Sequence, residues 1–335
     1  MRYVVDVLKQ MPDSANYNAW SKAPADVIRT LKDSGAKLKI ITVPDIKIKL
    51  ISKIVGIVYT FFASLSFQSG DELYIQRYGY YINFLVHRLK KKNIKINYLI
   101  HDLTFFRMGK DAGGLEFSLL KQADVLFVHT EAMAQLLKGY GLNQTMKIMH
   151  LFDYYSEDSM VPIMEMKKMR NVIAFAGNLN KSIFLKSLCE SSIPSDFKYS
   201  LFGLKNDTDL FNNTQVTYAG AFLPSKTGVL RAGWGLLWDG DSLNTCSGLM
   251  GEYLRYNSSH KISLYLSCGI PVILWRKSSL AEWLSEKGAC VLIDSIDDVY
   301  SAIRQISDSQ YSQMVENARV LGDMLRQGSL LKELL

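Results

Sequence analysis

Short, mostly apolar runs that alternate with helical segments limit the fold of this chain more than any other feature. In the first half, β-branched runs lie at Tyr3–Val7, Leu38–Val43, Ile96–Ile100 and Val125–His129, and segments with helical periodicity separate them. Such runs are typical of strands buried on both faces of a parallel sheet, which crossover helices connect. The pattern predicts an α/β fold.

The alternation occurs twice, which predicts two domains. It pauses between Asp153 and Arg170, where no period is clear, and restarts with a strand at Val172–Phe175. We expect one Rossmann-like domain over residues 1–152 and a second over 153–335, whose last helix packs back on the first domain. Two such domains facing a central cleft would bring the carboxyl ends of both sets of strands together, where open α/β sheets bind ligands.

Positive charge is concentrated in the first half. Residues 1–150 contain 21 Lys and Arg and 12 Asp and Glu, a net charge of +9, whereas the remainder of the chain carries a net charge of −2. A basic domain predicts an anionic partner. The aromatic and basic interleaving of nucleic-acid-binding modules is absent from the sequence, so we expect no nucleic acid.

Cysteine usage predicts a protein without a metal site. The four cysteines all follow residue 188, with no CxxC pair and no histidine at ligand spacing. This indicates neither a disulfide framework nor a zinc site, and it fits a reducing compartment. The first residues, MRYVVDVLKQ, are typical of a strand and not of a signal peptide, so we expect a cytoplasmic protein.

One uncharged segment has two interpretations. Ile54–Phe67 contains 14 uncharged residues, fewer than the roughly 20 that a membrane-spanning helix needs. It is either a buried helix or strand, or a segment that lies on an anionic membrane surface, because Lys47, Lys49 and Lys53 flank it.

A strand followed by a glycine turn predicts a phosphate site in the second half. In Phe175–Ser182, FAGNLNKS, Gly177 permits a tight turn and a helix is expected to start near Ser182. Free N–H groups at a helix start bind phosphate, and Lys181 would add a full charge. The alternative is an ordinary strand-to-helix turn.

A second phosphate signal lies at the start of a later helix. Ser258 or Ser259 is a good amino-terminal cap, which places His260 and Lys261 in the first turn. The helix dipole disfavours cations there, so an anionic ligand would explain them better than helix stability does. The alternative is a solvated lysine.

Acidic residues follow strands in both halves. Asp239 and Asp241 come after the run WGLLW and could accept hydrogen bonds from sugar hydroxyls; a turn with capping aspartates is the alternative. His101 and Asp102 follow the run INYLI and suit general-base work on a hydroxyl, with a hydrogen-bonded turn as the alternative.

These residues resemble a known family. Residues 233–275, GWGLLWDGDSLNTCSGLMGEYLRYNSSHKISLYLSCGIPVILW, are similar to the carboxy-terminal domain of bacterial β-1,6-galactofuranosyltransferases that build O-antigen and capsule polysaccharides. The segments NAWSKAPAD, IHDLTFFR, FAGNLNKS, LFG and VTYAGAF resemble the same family in the same order. The resemblance spans nearly the whole chain and is weakest over residues 40–95.

The resemblance implies a GT-B glycosyltransferase. In such enzymes the carboxy-terminal domain binds the sugar nucleotide and the amino-terminal domain binds the acceptor, generally without a metal. It implies UDP-galactofuranose or another UDP-hexose as co-substrate, no further cofactor, and a lipid-linked glycan as acceptor. It places the enzyme in the bacterial cytoplasm, in peripheral contact with the inner face of the membrane.

The resemblance also implies roles for single residues. Asn178 and Lys181 match the glycine turn near the nucleotide, Tyr218 an aromatic residue near the uridine, and Lys261 a lysine that faces the diphosphate. Two more residues, Asn16 and Lys22, match the amino-terminal loop that approaches the donor sugar and acceptor.

The sequence departs from the family pattern at one point, which bears on the mechanism. Retaining GT-B enzymes usually have two acids with seven residues between them, whereas here Glu252 is followed nine residues later by Lys261. This favours inversion, which needs a base on the acceptor side. Asp102 is the candidate, with His101 orienting it or sharing its role. The alternative function is a non-catalytic glycan-binding or assembly protein on a transferase-like fold.

Overall fold

Two parallel β-sheets of six strands each form the framework of the chain in its described parts. The structure is a computed structural model and describes residues 1–6, 19–41, 49–204 and 213–335. These divide into two units. The first contains the described residues of 1–13 and 27–149 with Leu334, and the second those of 14–26 and 150–333 with Leu335.

The first sheet has the strand order β2-β1-β3-β4-β5-β6, with all neighbours parallel. Its strands are joined by helices, as the apolar runs predict. The elements are β1 (Arg2–Asp6), α1 (Ala19–Asp33), β2 (Lys37–Ile40), α2 (Lys49–Leu65), β3 (Glu72–Ile75), α3 (Tyr80–Lys90), β4 (Lys95–Leu99), α4 (Thr104–Arg107), α5 (Gly114–Gln122), β5 (Val125–Val128), α6 (Glu131–Gly139) and β6 (Thr145–Ile148).

The second sheet has the order β12-β11-β10-β7-β8-β9, again all parallel. Two such sheets confirm the predicted α/β fold with Rossmann-like halves. The elements are α7 (Ile163–Lys168), β7 (Val172–Ala176), α8 (Phe184–Glu190), β8 (Lys198–Phe202), β9 (Val216–Gly220), β10 (Trp234–Leu237), α9 (Gly248–Tyr253), α10 (His260–Ser267), β11 (Val272–Trp275), α11 (Ala281–Glu286), β12 (Cys290–Ile293), α12 (Asp298–Gln305), α13 (Asp308–Gln327) and α14 (Ser329–Leu334).

The uncharged run at Ile54–Phe67 forms a helix, but most of its large side chains are not buried. It forms most of α2, and Ile54, Val58 and Phe62 are exposed. The expectation of a buried element is therefore wrong, because apolar periodicity shows that a helix has an apolar face but not which way that face points. In the described residues, no helix has the length and apolarity that crossing a membrane requires.

Tyr265 joins β7 to β10 where these two strands separate. The strands pair only at Ile173 with Trp234 and at Ala174 with Gly235. Beyond that point, the Tyr265 hydroxyl accepts a hydrogen bond from Ala176 N (2.8 Å) and donates one to Leu236 O (3.1 Å). Its phenol thus replaces a direct ladder bond.

Gly235 makes room for this arrangement. A Cβ atom at Gly235 would lie 2.1 Å from the Tyr265 ring, so no side chain fits there. Tyr265 is fully buried, and burial raises its pKa well above the usual value. The phenol stays neutral and can both accept and donate.

We expect Tyr265→Phe to lower the free energy of unfolding by about 1–3 kcal/mol, because it leaves the buried Ala176 N–H without its partner. Chemical denaturation measures this. Tyr59→Phe, at an exposed tyrosine, is the control and should change stability little. Equal stability of the two variants would contradict the bridging role.

Candidate active site

The order of strands in the second sheet opens a crevice beside β7. From β7 the chain moves outward to β8 and β9, then returns to β10 on the other side of β7 and continues to β11 and β12. The loops after β7 and β10 therefore leave in opposite directions. Ligands of open α/β sheets bind at such a reversal, outside the carboxyl ends of the strands.

Three glycines end the neighbouring strands β7, β8 and β9. Gly177 N donates to Phe202 O (2.9 Å), and Gly203 N donates to Gly220 O (3.0 Å). Gly203 has φ +144°, and a Cβ atom there would lie 1.8 Å from Gly177 O. Only glycine at position 203 allows the two turns to cross this closely.

The turn after Gly177 is closed by Asn178. The Asn178 side chain accepts a hydrogen bond from Lys181 N (3.2 Å), and its carbonyl accepts one from Ser182 Oγ (3.0 Å). Helix α8 begins at Phe184 with Ile183 as its N-cap, close to the expected start near Ser182. The Asn178 side chain thus satisfies the N–H group of Lys181 within the turn. Lys181 is exposed.

Lys261 reaches from α10 into the crevice. Its Nζ donates to Asp239 Oδ1 (2.8 Å) and lies 4.8 Å from the centre of the Phe175 ring. A Cβ atom at Gly177 would lie 2.9 Å from Lys261 Cε, so a larger residue there would displace the end of the lysine side chain. The Lys261 and Asp239 side chains are 18% and 19% exposed. The structure thus brings together three of the predicted residues: Gly177, Asp239 and Lys261.

Asp239 provides a second explanation for the cation at the start of α10, besides an anionic ligand. The cation in the first turn of α10 has a carboxylate partner within the protein, which the sequence analysis did not anticipate. The contact joins residues 22 positions apart, and local spacing does not reveal it. An ammonium has three N–H donors, so the bond to Asp239 leaves Lys261 with further donors.

Asp241 lies in a loop that closes on itself. Its carboxylate accepts a hydrogen bond from Ser247 Oγ, and Trp238 Nε1 donates to Ser242 O (2.9 Å). A Cβ atom at Gly240, which has φ +114°, would lie 2.5 Å from Ser247 O. Asp241 thus stabilises the loop, as expected for the alternative interpretation of a turn with capping aspartates. Sugar binding by Asp241 stays a prediction.

Aromatic rings flank the crevice residues. Tyr218, at β9, donates from its hydroxyl to Gly203 O (3.0 Å) and is exposed. His260 lies with its ring centre 5.0 Å from that of Tyr154 and 5.9 Å from that of Phe152. Sequence reasoning missed Phe152 and Tyr154, since Tyr154 lies in the segment that had no clear period and Phe152 directly precedes that segment.

Lys22 lies in helix α1, so its expected place in a loop is wrong. The sequence predicts a helix over Ala23–Lys32, whereas α1 already begins at Ala19. Lys22 Nζ donates to Asp26 Oδ1 (2.5 Å) and to Tyr155 O (2.6 Å), and it lies 4.7 Å from the centre of the Tyr154 ring.

Asp26 completes this cluster of the second unit. Its other carboxylate oxygen accepts a hydrogen bond from Tyr155 N (3.2 Å). The i, i+4 spacing of Lys22 and Asp26 in NAWSKAPAD was the available signal for the pair. Asn16 lies outside the described residues, and its role stays a prediction.

In the first unit, His101 and Asp102 follow β4 and have different partners. His101 Nε2 is 2.8 Å from Gln76 Oε1, which follows β3. Asp102 Oδ2 accepts a hydrogen bond from Arg107 (2.7 Å). Both aspartate and histidine thus lie at the carboxyl edge of this sheet, and their catalytic roles stay predictions.

Two buried titratable groups support this edge. Glu116 accepts hydrogen bonds from Thr104 N (2.8 Å) and Phe105 N (3.0 Å) at the start of α4, and burial raises its pKa. Burial lowers the pKa of His129 to about 4, so its ring is neutral and Nε2 donates to Ile100 O (2.8 Å). Both groups order the loop that carries His101 and Asp102.

Metal ligands do not cluster in the described residues. Over these ranges, no three or more His, Cys, Asp or Glu side chains come close enough together to hold an ion.

Solved structures share this fold. Sucrose-phosphate synthase from Thermosynechococcus elongatus superposes with a TM-score of 0.66 at 12% identity, over 99% of this chain and 98% of that one. HepE from Anabaena, solved in complex with UDP, superposes with a TM-score of 0.63 at 12% identity, over 100% and 98%. These superpositions show that the chain has the GT-B fold.

Sequence comparison gives the family. The profile "Glucosyltransferase 3-like, N-terminal domain" matches residues 5–151, and "Glucosyltransferase 3-like, C-terminal domain" matches residues 173–335. β-1,6-Galactofuranosyltransferase WbbI of Escherichia coli K12 is 31% identical over 252 residues, 74% of this chain and 72% of WbbI. Glucosyltransferase 3 of Streptococcus parasanguinis is 22% identical over 75% of this chain and 72% of that protein. The chain belongs to this glucosyltransferase 3-like family of bacterial glycosyltransferases.

The crossing of Gly203 and Gly177 gives a test of the turn. We expect Gly203→Ala to lower the free energy of unfolding by about 1–3 kcal/mol more than Gly220→Ala does. Both glycines have positive φ, +144° and +88°, so both variants carry backbone strain, but only Gly203 is crowded. Chemical denaturation of the two variants measures the difference. Equal losses would show that crowding at Gly203 is unimportant.

Proposed function

We propose that this glycosyltransferase moves galactofuranose from UDP-galactofuranose to a sugar hydroxyl of a lipid-linked glycan, without a metal and with inversion. The observation that carries the proposal is the position of Lys261 over Gly177, at the crevice between β7 and β10. A diphosphate needs cationic donors, and the Lys261 ammonium group provides them at this edge of the second sheet.

The nucleotide would bind along the ends of β7, β8 and β9. Lys261 has donors for the diphosphate, and Gly177 lets phosphate oxygens approach the backbone. The exposed Tyr218 ring offers a stacking surface for the uracil. Asn178 and Lys181 lie on the adjoining turn, where Lys181 adds positive charge. Known structures of this fold support a nucleotide here, since HepE was solved with UDP.

The sugar would lie toward Asp239, Asp241 and His260. Carboxylates accept hydrogen bonds from sugar hydroxyls, and the loop after β10 presents two of them. Asp239 also orients Lys261 through their 2.8 Å contact. Lys22, packed beside Tyr154, would position this wall through the Tyr154–His260 contact.

The galactofuranosyl donor is supported by one relative. WbbI is a β-1,6-galactofuranosyltransferase and is 31% identical, whereas the streptococcal relative, a glucosyltransferase, is 22% identical. The greater identity favours galactofuranose, and UDP-glucose is the alternative donor. The family resemblance to enzymes of O-antigen and capsule synthesis supports a lipid-linked acceptor, and so does the net charge of +9 in the first half.

Inversion requires a base, for which we propose Asp102. It lies at the carboxyl edge of the first sheet, and Arg107 fixes its orientation. Glu252, the acid nearest to the position used by retaining enzymes, is exposed and pairs with Arg255 (2.6 Å). This supports inversion.

Lys261→Ala should weaken UDP binding by about 10- to 100-fold, the loss expected for about 1.5–3 kcal/mol of charge-assisted hydrogen bonding. Calorimetric titration with UDP measures the affinity. A panel of UDP-sugars with a lipid-linked acceptor measures transfer, for which we expect UDP-galactofuranose to be the best donor and Lys261→Ala to be slow.

Lys287→Ala is the matched control, since Lys287 is an exposed lysine of the same unit near Trp283. Unchanged UDP affinity in Lys261→Ala would remove its proposed role. Absence of UDP binding by the unaltered protein would contradict the transferase proposal and favour a glycan-binding or assembly protein.

Asp102→Asn should lower kcat by roughly 10²–10⁴-fold while leaving UDP affinity nearly unchanged, because it keeps the shape of the side chain and removes its basicity. The rate of the unaltered enzyme should rise with pH as the base loses its proton, and this rise should disappear in the variant. Transfer assays over a pH series measure both. Normal turnover by a folded Asp102→Asn protein would move the base to His101 or Asp241.

A further inference from the structure

Helix α2 faces the protein with its small side chains. Gly56, Thr60 and Ser64 are buried and lie four residues apart, so they share one face. A Cβ atom at Gly56 would lie 2.3 Å from the Tyr81 ring of α3. This side of α2 packs closely on α3 because it carries no large side chain.

The opposite face carries the large apolar side chains. Their spacing of three and four residues places them in one stripe along the helix. Phe62 is 64% exposed and Ile54 is 54% exposed. The stripe consists of Ile51, Ile54, Val58, Phe61, Phe62 and Leu65. A helix that buries its small residues and exposes its large ones reverses the usual arrangement, and a continuous apolar patch of this kind marks an interaction surface.

Cations lie near the carboxyl end of α2, and one of them, Arg88, contacts the stripe at Phe61. Arg88 donates to Ser64 Oγ (3.1 Å), and its guanidinium lies 4.2 Å from the centre of the Phe61 ring. Lys92 Nζ donates to Ser64 O (2.8 Å), and Lys39 Nζ lies 4.3 Å from the centre of the Phe67 ring.

Positive charge also lies toward the amino-terminal end of α2. Lys53 Nζ lies 4.3 Å from the centre of the Tyr80 ring. The sequence from residue 46 to residue 70 contains no Asp or Glu. An apolar stripe with cations at its edges is complementary to the interface of an anionic bilayer, where acyl chains lie beneath phosphates.

We propose that α2 docks the enzyme on an anionic lipid bilayer by lying in the plane of its surface. The stripe enters the region between headgroups and acyl chains, and Lys39, Lys53, Arg88 and Lys92 meet lipid phosphates. The helix, 17 residues long, is about 25 Å in length and is suited to lie on the surface. A second copy of the chain fits less well, because the same cations on each copy would meet without acidic partners.

Docking through α2 rests on the proposed function in one respect: a lipid-linked acceptor lies at such a surface. Flotation of the whole protein with two kinds of vesicle tests it: phosphatidylcholine alone, and phosphatidylcholine with phosphatidylglycerol. We expect binding to the anionic vesicles that weakens with salt. The double variant Ile54→Ser, Phe62→Ser should lose about tenfold or more of this binding.

The control is the double variant Met164→Ser, Val320→Ser, which removes two apolar side chains of similar exposure, 69% and 62%, from the second unit. It should bind vesicles as the unaltered protein does. UDP titration of both variants reports whether the nucleotide site is intact, so a failed transferase proposal and a failed docking proposal give different results.

Three outcomes would overturn the docking proposal. The first is that the unaltered protein binds neither vesicle, and the second is that both double variants bind anionic vesicles equally well. The third is a dimer in sedimentation that the α2 variant dissociates, since the stripe would then be covered by a second copy.

Discussion

The separation of β7 from β10 is the constraint on which the rest of the site depends. Strand order places the crevice between β7 and β10, and these two strands stop pairing before their carboxyl ends. Tyr265 satisfies Ala176 N and Leu236 O at the point where direct pairing stops, so the strands part without leaving these backbone groups unpaired. Gly235 provides the space for the ring. The buried polar bridge therefore lies beside the candidate crevice.

The charges at the crevice follow from the same arrangement. Lys261 and Tyr265 lie one turn apart on α10, so the helix that carries the bridge also carries the cation. Gly177 lets the lysine stem pass, and Asp239 and Phe175 hold its ammonium group in place. A partly buried ammonium group with one carboxylate partner has little rotational freedom. It keeps further N–H donors that can bind an anion.

Much of the fold could be predicted from the sequence. Strands such as β4, β5 and β11 are buried apolar runs, and burial of this kind has a local signature. Strand β6, with the sequence TMKI, was not predicted, because it lies at the edge of the first sheet and is only partly buried. An edge strand has no such run of apolar residues to mark it.

The site was predicted less completely, because its contacts join distant parts of the chain. The glycine turn at Gly177 is local and was predicted, whereas the Lys261–Asp239 pair depends on which strands become neighbours. Tyr154 and its contact with His260 lie in a segment without periodicity. The direction of the α2 stripe depends on how α2 packs on α3, which the pattern of α2 alone does not contain.

The central claim is that the crevice between β7 and β10 holds the diphosphate of a sugar nucleotide. A crystal structure of the protein with UDP tests it most directly. The account predicts diphosphate oxygens within hydrogen-bonding distance of Lys261 Nζ, beside the backbone of Gly177, with the uracil near Tyr218. A diphosphate bound elsewhere, with Lys261 still contacting only Asp239 and Phe175, would contradict it.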